Sequence, residues 1–184
     1  RHALEYRENV CSPTSGFHHA GYDSAEGFCT FNGLMVTALA LLEQGAVRSI
    51  GILDCDVHYG NGTDDIVKRL GVQGIRHHTM GAHFRHRDEA SLFEQWLHRA
   101  IEDCRGVDLL IYQAGADPHV NDPLGKVLTG VQMAKRDHAV FSAFQGRPLV
   151  WNLAGGYQRD VNGGIEPVLK LHRTTAQIQN IYQP

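Results

Sequence analysis

Three side chains able to bind a metal or move a proton, Asp54, Asp56 and His58, stand two residues apart within Gly51–Thr63 (GILDCDVHYGNGT). In an extended segment that spacing puts all three on one face. Carboxylates and neutral imidazoles are both good ligands for a divalent ion such as zinc. The apolar run Ile50–Leu53 leads into them, and Gly60 and Gly62 let the backbone turn sharply beyond them. The chemistry expected is metal binding or proton transfer at the end of a buried strand.

Further reactive side chains lie elsewhere. His18 and His19 are adjacent in the Pro-, Ser- and Gly-bearing loop Ser12–Tyr22. Neighbours on a loop can face one site, whereas on a strand they would point to opposite faces. Taken alone, the pair reads more simply as two surface histidines. Asp117 follows the small residues Ala114-Gly115-Ala116, and Tyr157 follows Ala154-Gly155-Gly156. An Asp after a strand is often a turn residue or helix cap, and Gly-Gly-Tyr often only a tight turn. Three separate strand ends, all loaded with reactive groups behind small residues, argue against coincidence.

The elements that must carry these residues follow from apolar periodicity. Phe31–Leu42 has Leu34, Ala38, Leu41 and Leu42 at helical spacing, stopped by Gly45. Ser49–Leu53 is a short apolar strand. Asp64–Leu70 is a helix with acidic residues in its first turn, closed by Gly71. Val72–His78 is a weaker strand, and Gly81–Arg87 a His/Arg-rich loop. Ala90–Cys104 is a helix with Leu92, Trp96, Leu97 and Ile101 towards the core. Strand Val107–Tyr112, turn Asn121–Gly125, helix Thr129–Phe144, strand Pro148–Leu153 and helix Gly163–Leu171 complete the chain. Arg1–Cys11 reads as polar and irregular, without a clear strand. Apolar strands alternating with amphipathic helices predict an α/β fold, a mostly parallel sheet with helices on both faces. In such sheets ligands bind outside the carboxyl ends of the strands.

The chain's 184 residues fit a single domain. With 42% hydrophobic and 20% charged residues, it has an ordinary globular composition. Its net charge of -3 and lack of a long basic run argue against nucleic-acid binding as its main task. Cys11, Cys29, Cys55 and Cys104 show no CxxC pairing, which fits reduced thiols and a cytoplasmic enzyme. No apolar run approaches the roughly 18 residues of a membrane span, so no membrane role is expected.

In their order, the motifs resemble the zinc-dependent histone deacetylase family, which includes bacterial deacetylase-like amidohydrolases and acetylpolyamine amidohydrolases. The resemblance is carried by GFHHA at Gly16–Ala20, GFCTFNG at Gly27–Gly33, DCDVHYGNGT at Asp54–Thr63, AGADPHVNDPLG at Ala114–Gly125 and LAGGYQ at Leu153–Gln158. It implies that Asp56, His58 and Asp117 hold one zinc ion per site, with an open position of the kind a catalytic zinc needs. It implies that His19 is the general base and then the general acid, and that His18 is an electrostatic partner held by Asp54. Asn61 stands where a second orienting group, towards His19, is expected. Tyr157 would donate to the oxyanion of a tetrahedral intermediate. Gly27 and Phe28 would line a narrow substrate channel, the competing reading of Phe28 being a plain core aromatic. A structural monovalent cation near Asp54 is a further expectation from the family.

The implied reaction is hydrolysis of an acyl amide, most simply acetyl, on an acyl-lysine peptide or a small acylated amine. An incomplete or vestigial fold acting as a scaffold is the alternative. An arginase-like two-metal site would enlist Asp122 and His119. Three departures from the family pattern stand out: Tyr59 replaces the second His of D-x-D-x-H-H, Phe17 precedes the His pair, and the chain begins almost at the catalytic loop. The expectation is therefore that residues 1–184 are the C-terminal portion of a longer single deacetylase-like domain. Either a homo-oligomer or a completing segment could supply the remainder.

Overall fold

Five parallel strands lie in the order β1-β5-β4-β2-β3, with β1 Asn9–Ser12, β2 Ile50–Asp54, β3 Ile75–Thr79, β4 Leu109–Gly115 and β5 Leu149–Ala154. The computed structural model describes residues 1–183. Among the described residues the six α-helices are α1 His2–Tyr6, α2 Gly33–Glu43, α3 Asn61–Leu70, α4 Ala90–Cys104, α5 Gly130–Ala143 and α6 Glu166–Ile181. Every residue of β2 and β4 is buried, as strands covered on both faces must be.

Alternation along the strands divides the core in two. Leu53, Leu110, Tyr112, Leu149 and Trp151 pack with side chains of α4, α5 and α6. Ile50, Ile52, Leu109 and Ile111 pack with Ala3, Leu34, Met35, Ala38 and Ile66 from α1, α2 and α3. The expected helices on both faces of a parallel sheet are thus present. Among the described residues, no helix is long and apolar enough to cross a membrane.

The chain runs from β2 outward to β3, then returns to place β4 on the other side of β2. The strand order therefore reverses between β2 and β4, and a crevice opens there beyond their carboxyl ends. The segments after β1, β2, β4 and β5 all emerge on that side and carry His18/His19, Asp56/His58, Asp117 and Tyr157 respectively.

Several element boundaries differ from the sequence expectation. The segment read as irregular, Arg1–Cys11, holds α1 and most of β1. Strand β1 lies at the sheet edge, pairs only with β5 and is four residues long, so it lacks an apolar run. Helix α3 begins at Asn61 rather than Asp64. Asn and Gly there suggest a turn, but Thr63 is buried and receives a hydrogen bond from Asn32 Nδ2 at 3.1 Å, which ties the first turn down. Helix α6 continues to Ile181, well past Leu171, because it packs through buried polar groups. Thr175 donates to Asp137 at 2.6 Å, and Gln179 accepts from Trp151 Nε1 at 2.7 Å. In α4, Phe93 faces the core and Leu92 is 59% exposed, so the apolar stripe is offset by one residue there.

Candidate metal centre and proton-transfer site

Strand β2 ends at Asp54, so Asp54, Asp56 and His58 do not share one strand face as their spacing suggested. Beyond the last ladder pair the chain coils and the side chains separate. Asp54 is fully buried, and both of its oxygens are engaged by protein donors. Oδ2 pairs with His18 Nδ1 at 2.7 Å, while Oδ1 accepts from Gln113 Nε2 at 2.8 Å and from the amide of Asp56 at 3.1 Å.

Asp56 and His58 turn towards Asp117, which β4 delivers from the other side of the crevice. One ligand atom from each of these three residues lies within 4.8 Å of the others. His58 Nδ1 is 3.0 Å from Asp56 Oδ1 and 2.9 Å from Asp117 Oδ2. Asp117 is completely buried, and its Oδ2 makes no aligned hydrogen bond despite that short approach. A buried carboxylate oxygen without an aligned donor is costly. Two carboxylates and one imidazole converging around such an atom fit a zinc ion well. Gly155, with φ +50, lets the turn after β5 close over this group. A Cβ at that position would stand 2.4 Å from Asp117 Cγ.

The electrostatics also favour a cation. Burial lifts the Asp117 carboxyl well above the usual carboxylate range, and the neighbouring Asp56 adds to the lift. Burial acts in the same direction on Asp56, but the His58 hydrogen bond and the His18 charge outweigh it and hold Asp56 low. Hydrogen bonds to Asp117 and Asp56 raise His58 to about 10, against the effect of burial. Burial opposes protonation of His18 too, yet Asp54, with Asp56 and Asp117 behind it, raises its pKa to about 9. The imidazoles near these carboxylates take up protons where no other cation offsets the negative charge.

The His18 and His19 rings lie against each other at a tilt of 54°, with centroids 4.1 Å apart. His18 is buried and His19 only partly so, and the His19 ring centroid lies 6.0 Å from that of His58. Asn61, the first residue of α3, brings Oδ1 to 2.6 Å from His19 Nδ1. The Tyr157 ring stands edge-on to His58 at 6.1 Å. Burial, then the nearby Asp117 and Asp56, pushes the Tyr157 phenol up to about 12, so it is an O–H donor at neutral pH. A cavity of about 270 Å³ joins His18, His19, Asp56 and Tyr157, and Gly27 and Phe28 form part of its wall. Phe28 is 96% exposed, which excludes the core-aromatic reading. The Phe17 ring packs over Gly33 at the start of α2 as well as touching this cavity.

Neither residue considered for a second metal joins the ligand group. The Asp122 oxygens accept the backbone amides of Tyr157 at 2.7 Å and Leu124 at 3.0 Å, and His119 Nδ1 accepts the amide of Asn121 at 3.2 Å. Asp122 is instead a strut for the Tyr157 turn. Tyr59, at the position of the motif's second His, donates to Asp64, whose other oxygen pairs with His77 Nδ1 at 2.6 Å. It lines a second cavity, of about 520 Å³, together with His19, His58 and Asn61. Four supporting residues had no sequence signal of their own: Glu26, Gln113, Arg136 and Asp137. The buried Arg136 donates to the Gly115 carbonyl at 2.8 Å and to Asp137 at 2.9 Å, bracing β4 two residues before Asp117.

Residues 1–91 match the family model described as the histone deacetylase domain. Over 118 residues the chain is 36% identical to the acetylpolyamine amidohydrolase of Mycoplana ramosa, covering 64% of this chain and 30% of that protein. It is 26% identical to an uncharacterized protein of a Picosynechococcus strain, over 92% of this chain and 63% of the relative. The chain thus spans less than two thirds of either relative. The crystal structure of an acetylpolyamine aminohydrolase from Burkholderia pseudomallei superposes with a TM-score of 0.74 at 20% identity, covering 92% of this chain and 55% of that one. That likeness establishes the shared fold.

Proposed function

We propose, for a chain that belongs to the histone deacetylase family, that the crevice between β2 and β4 hydrolyses an acyl amide with the help of one zinc ion. The observation that carries this reading is the meeting of Asp56, His58 and Asp117 beside an open cavity that also holds His19 and Tyr157. Bound by those three residues, zinc would polarise the acyl carbonyl and bring the pKa of a water molecule down to about 7.

The remaining chemistry belongs to the chain's own side chains. His19, the member of the pair that lines both cavities, takes the proton of the attacking water and returns it to the leaving amine. Asn61 orients that ring. His18, the more deeply buried of the two and bonded to Asp54, supplies electrostatic support. The Tyr157 hydroxyl donates to the oxygen that becomes negative in the tetrahedral intermediate. Gly27 and Phe28 form one wall of the passage along which the acyl chain enters.

The substrate is an acetylated lysine in a peptide or a small acetylated amine. The amidohydrolase named among the relatives supports the second. The test is to incubate the zinc-loaded chain with an acetyl-lysine peptide and with a monoacetylated diamine, and to follow acetate release. Release from at least one of them is expected. None from either, with zinc bound, would refute the hydrolase reading for this chain.

A further inference from the structure

Asn61 sits between two groups that make different demands on its amide. Oδ1 lies 2.6 Å from His19 Nδ1, and Nδ2 donates to Glu26 Oε1 at 2.8 Å. An ionised carboxylate only accepts hydrogen bonds, whereas a primary amide can offer an imidazole either a donor or an acceptor. By taking the NH₂ end, Glu26 leaves Oδ1 for the ring. An acceptor at Nδ1 requires that nitrogen to carry the proton, so Nε2 keeps its lone pair. With the amide reversed, the NH₂ would face Nδ1, the proton would sit on Nε2, and the ring could not act as a base there.

Glu26 is delivered by a tight turn. The Cys29 amide donates to the Glu26 carbonyl at 2.9 Å, and the two central residues have positive φ, 56 at Gly27 and 62 at Phe28. Two left-handed central residues define a type I′ turn. The same turn lays the Gly27 backbone against the His19 ring. A single four-residue turn therefore seats the imidazole and supplies the carboxylate that orders its partner. A tenfold preference between the two amide orientations requires only about 1.4 kcal/mol, less than a charge-assisted hydrogen bond typically contributes.

We infer that Glu26 is a positioning residue: acting through Asn61, it holds His19 in the Nδ1–H tautomer and leaves Nε2 as the proton acceptor. The inference rests on the reading of His19 as the base. It assigns a task to a surface carboxylate at the rim of the 520 Å³ cavity, outside the ligand and proton-transfer set.

The test is long-range ¹H–¹⁵N correlation NMR of the ¹⁵N-labelled, zinc-loaded chain, which distinguishes protonated from unprotonated ring nitrogens of a neutral imidazole. A His19→Gln sample assigns the signals. The wild-type ring is expected in the Nδ1–H form. Glu26→Gln can donate as well as accept, so it should yield a mixture of tautomers and lower kcat by roughly tenfold, less than the factor of about 10²–10⁴ that a positioned base contributes in full. Adding Asn61→Asp to Glu26→Gln puts an acceptor-only group beside Nδ1 and should restore the Nδ1–H form. An unchanged tautomer in Glu26→Gln and Glu26→Ala, or a wild-type ring protonated at Nε2, would overturn the inference. The tautomer is read without turnover, so a chain inactive on every acyl amide would defeat the hydrolase reading while leaving the role of Glu26 decided by the spectrum.

Discussion

The backbone of Gly27 lies against the imidazole of His19: a Cβ at this position would stand 2.2 Å from ring atom Cδ2. The residue also has φ +56, where side chains are disfavoured. Gly27→Ala should therefore push the ring off its seat while leaving the zinc ligands in place. A misplacement of about 1 Å can cost on the order of 10²-fold in rate, and a loss of that size with unchanged zinc content is expected. Unaltered turnover would show that the seat is unimportant.

Phe28 is strained as well as exposed. Its φ of 62 is a left-handed conformation, which costs a side-chain-bearing residue roughly 1–2 kcal/mol. With the ring 96% exposed, little packing is lost by removing it. Phe28→Gly is expected to raise the denaturation midpoint slightly while increasing KM for the acyl substrate, since the channel loses a wall. A destabilised variant with normal KM would place Phe28 in the packing instead.

Asp122 accepts the amides of Tyr157 and Leu124, so Asp122→Asn sets an NH₂ group against a backbone donor. Turnover should fall by at least about tenfold as the Tyr157 turn shifts, with one zinc per chain retained. A metal content that starts at two and drops to one in the variant would instead mark Asp122 as a ligand of a second ion.

His172 provides a pH signature distant from the ligands. Burial, assisted by the charge of Arg136, lowers its pKa to about 4 from the ordinary 6.5. Between those values the unfolded chain binds a proton that the folded chain does not. Its contribution to stability is fully present above pH 6.5 and is lost as the pH falls towards 4, by up to about 1.4 kcal/mol per pH unit. His172→Gln should flatten the pH dependence of the urea midpoint between pH 7 and 5. Equal slopes in the two proteins would contradict this assignment.

The three residues proposed as metal ligands stand out in the sequence because each lies where a strand ends. Asp56 and His58 follow the apolar β2, and Asp117 follows β4, so each announces itself at a strand end. Asp54 looked like a ligand on the same face until the end of β2 separated it from the others and turned it towards His18. Asp122 and Glu26 gave no such signal. Each acts by accepting hydrogen bonds from groups remote in sequence, Tyr157 in one case and Asn61 in the other. Local pattern also missed β1, a short edge strand, and the latter half of α6, whose buried face mixes the polar Thr175 and Gln179 with Ile178 rather than forming an apolar stripe.

The central claim is that Asp56, His58 and Asp117 hold a single zinc ion on which turnover depends. Chelator-treated protein should be titrated with zinc while metal content and acetate release from the acetylated substrate are followed together. Activity should rise from near zero and saturate at one zinc per chain, and Asp117→Ala should neither bind the ion nor recover activity. Saturation at two ions, full turnover by the metal-free chain, or normal zinc binding by Asp117→Ala would contradict the account.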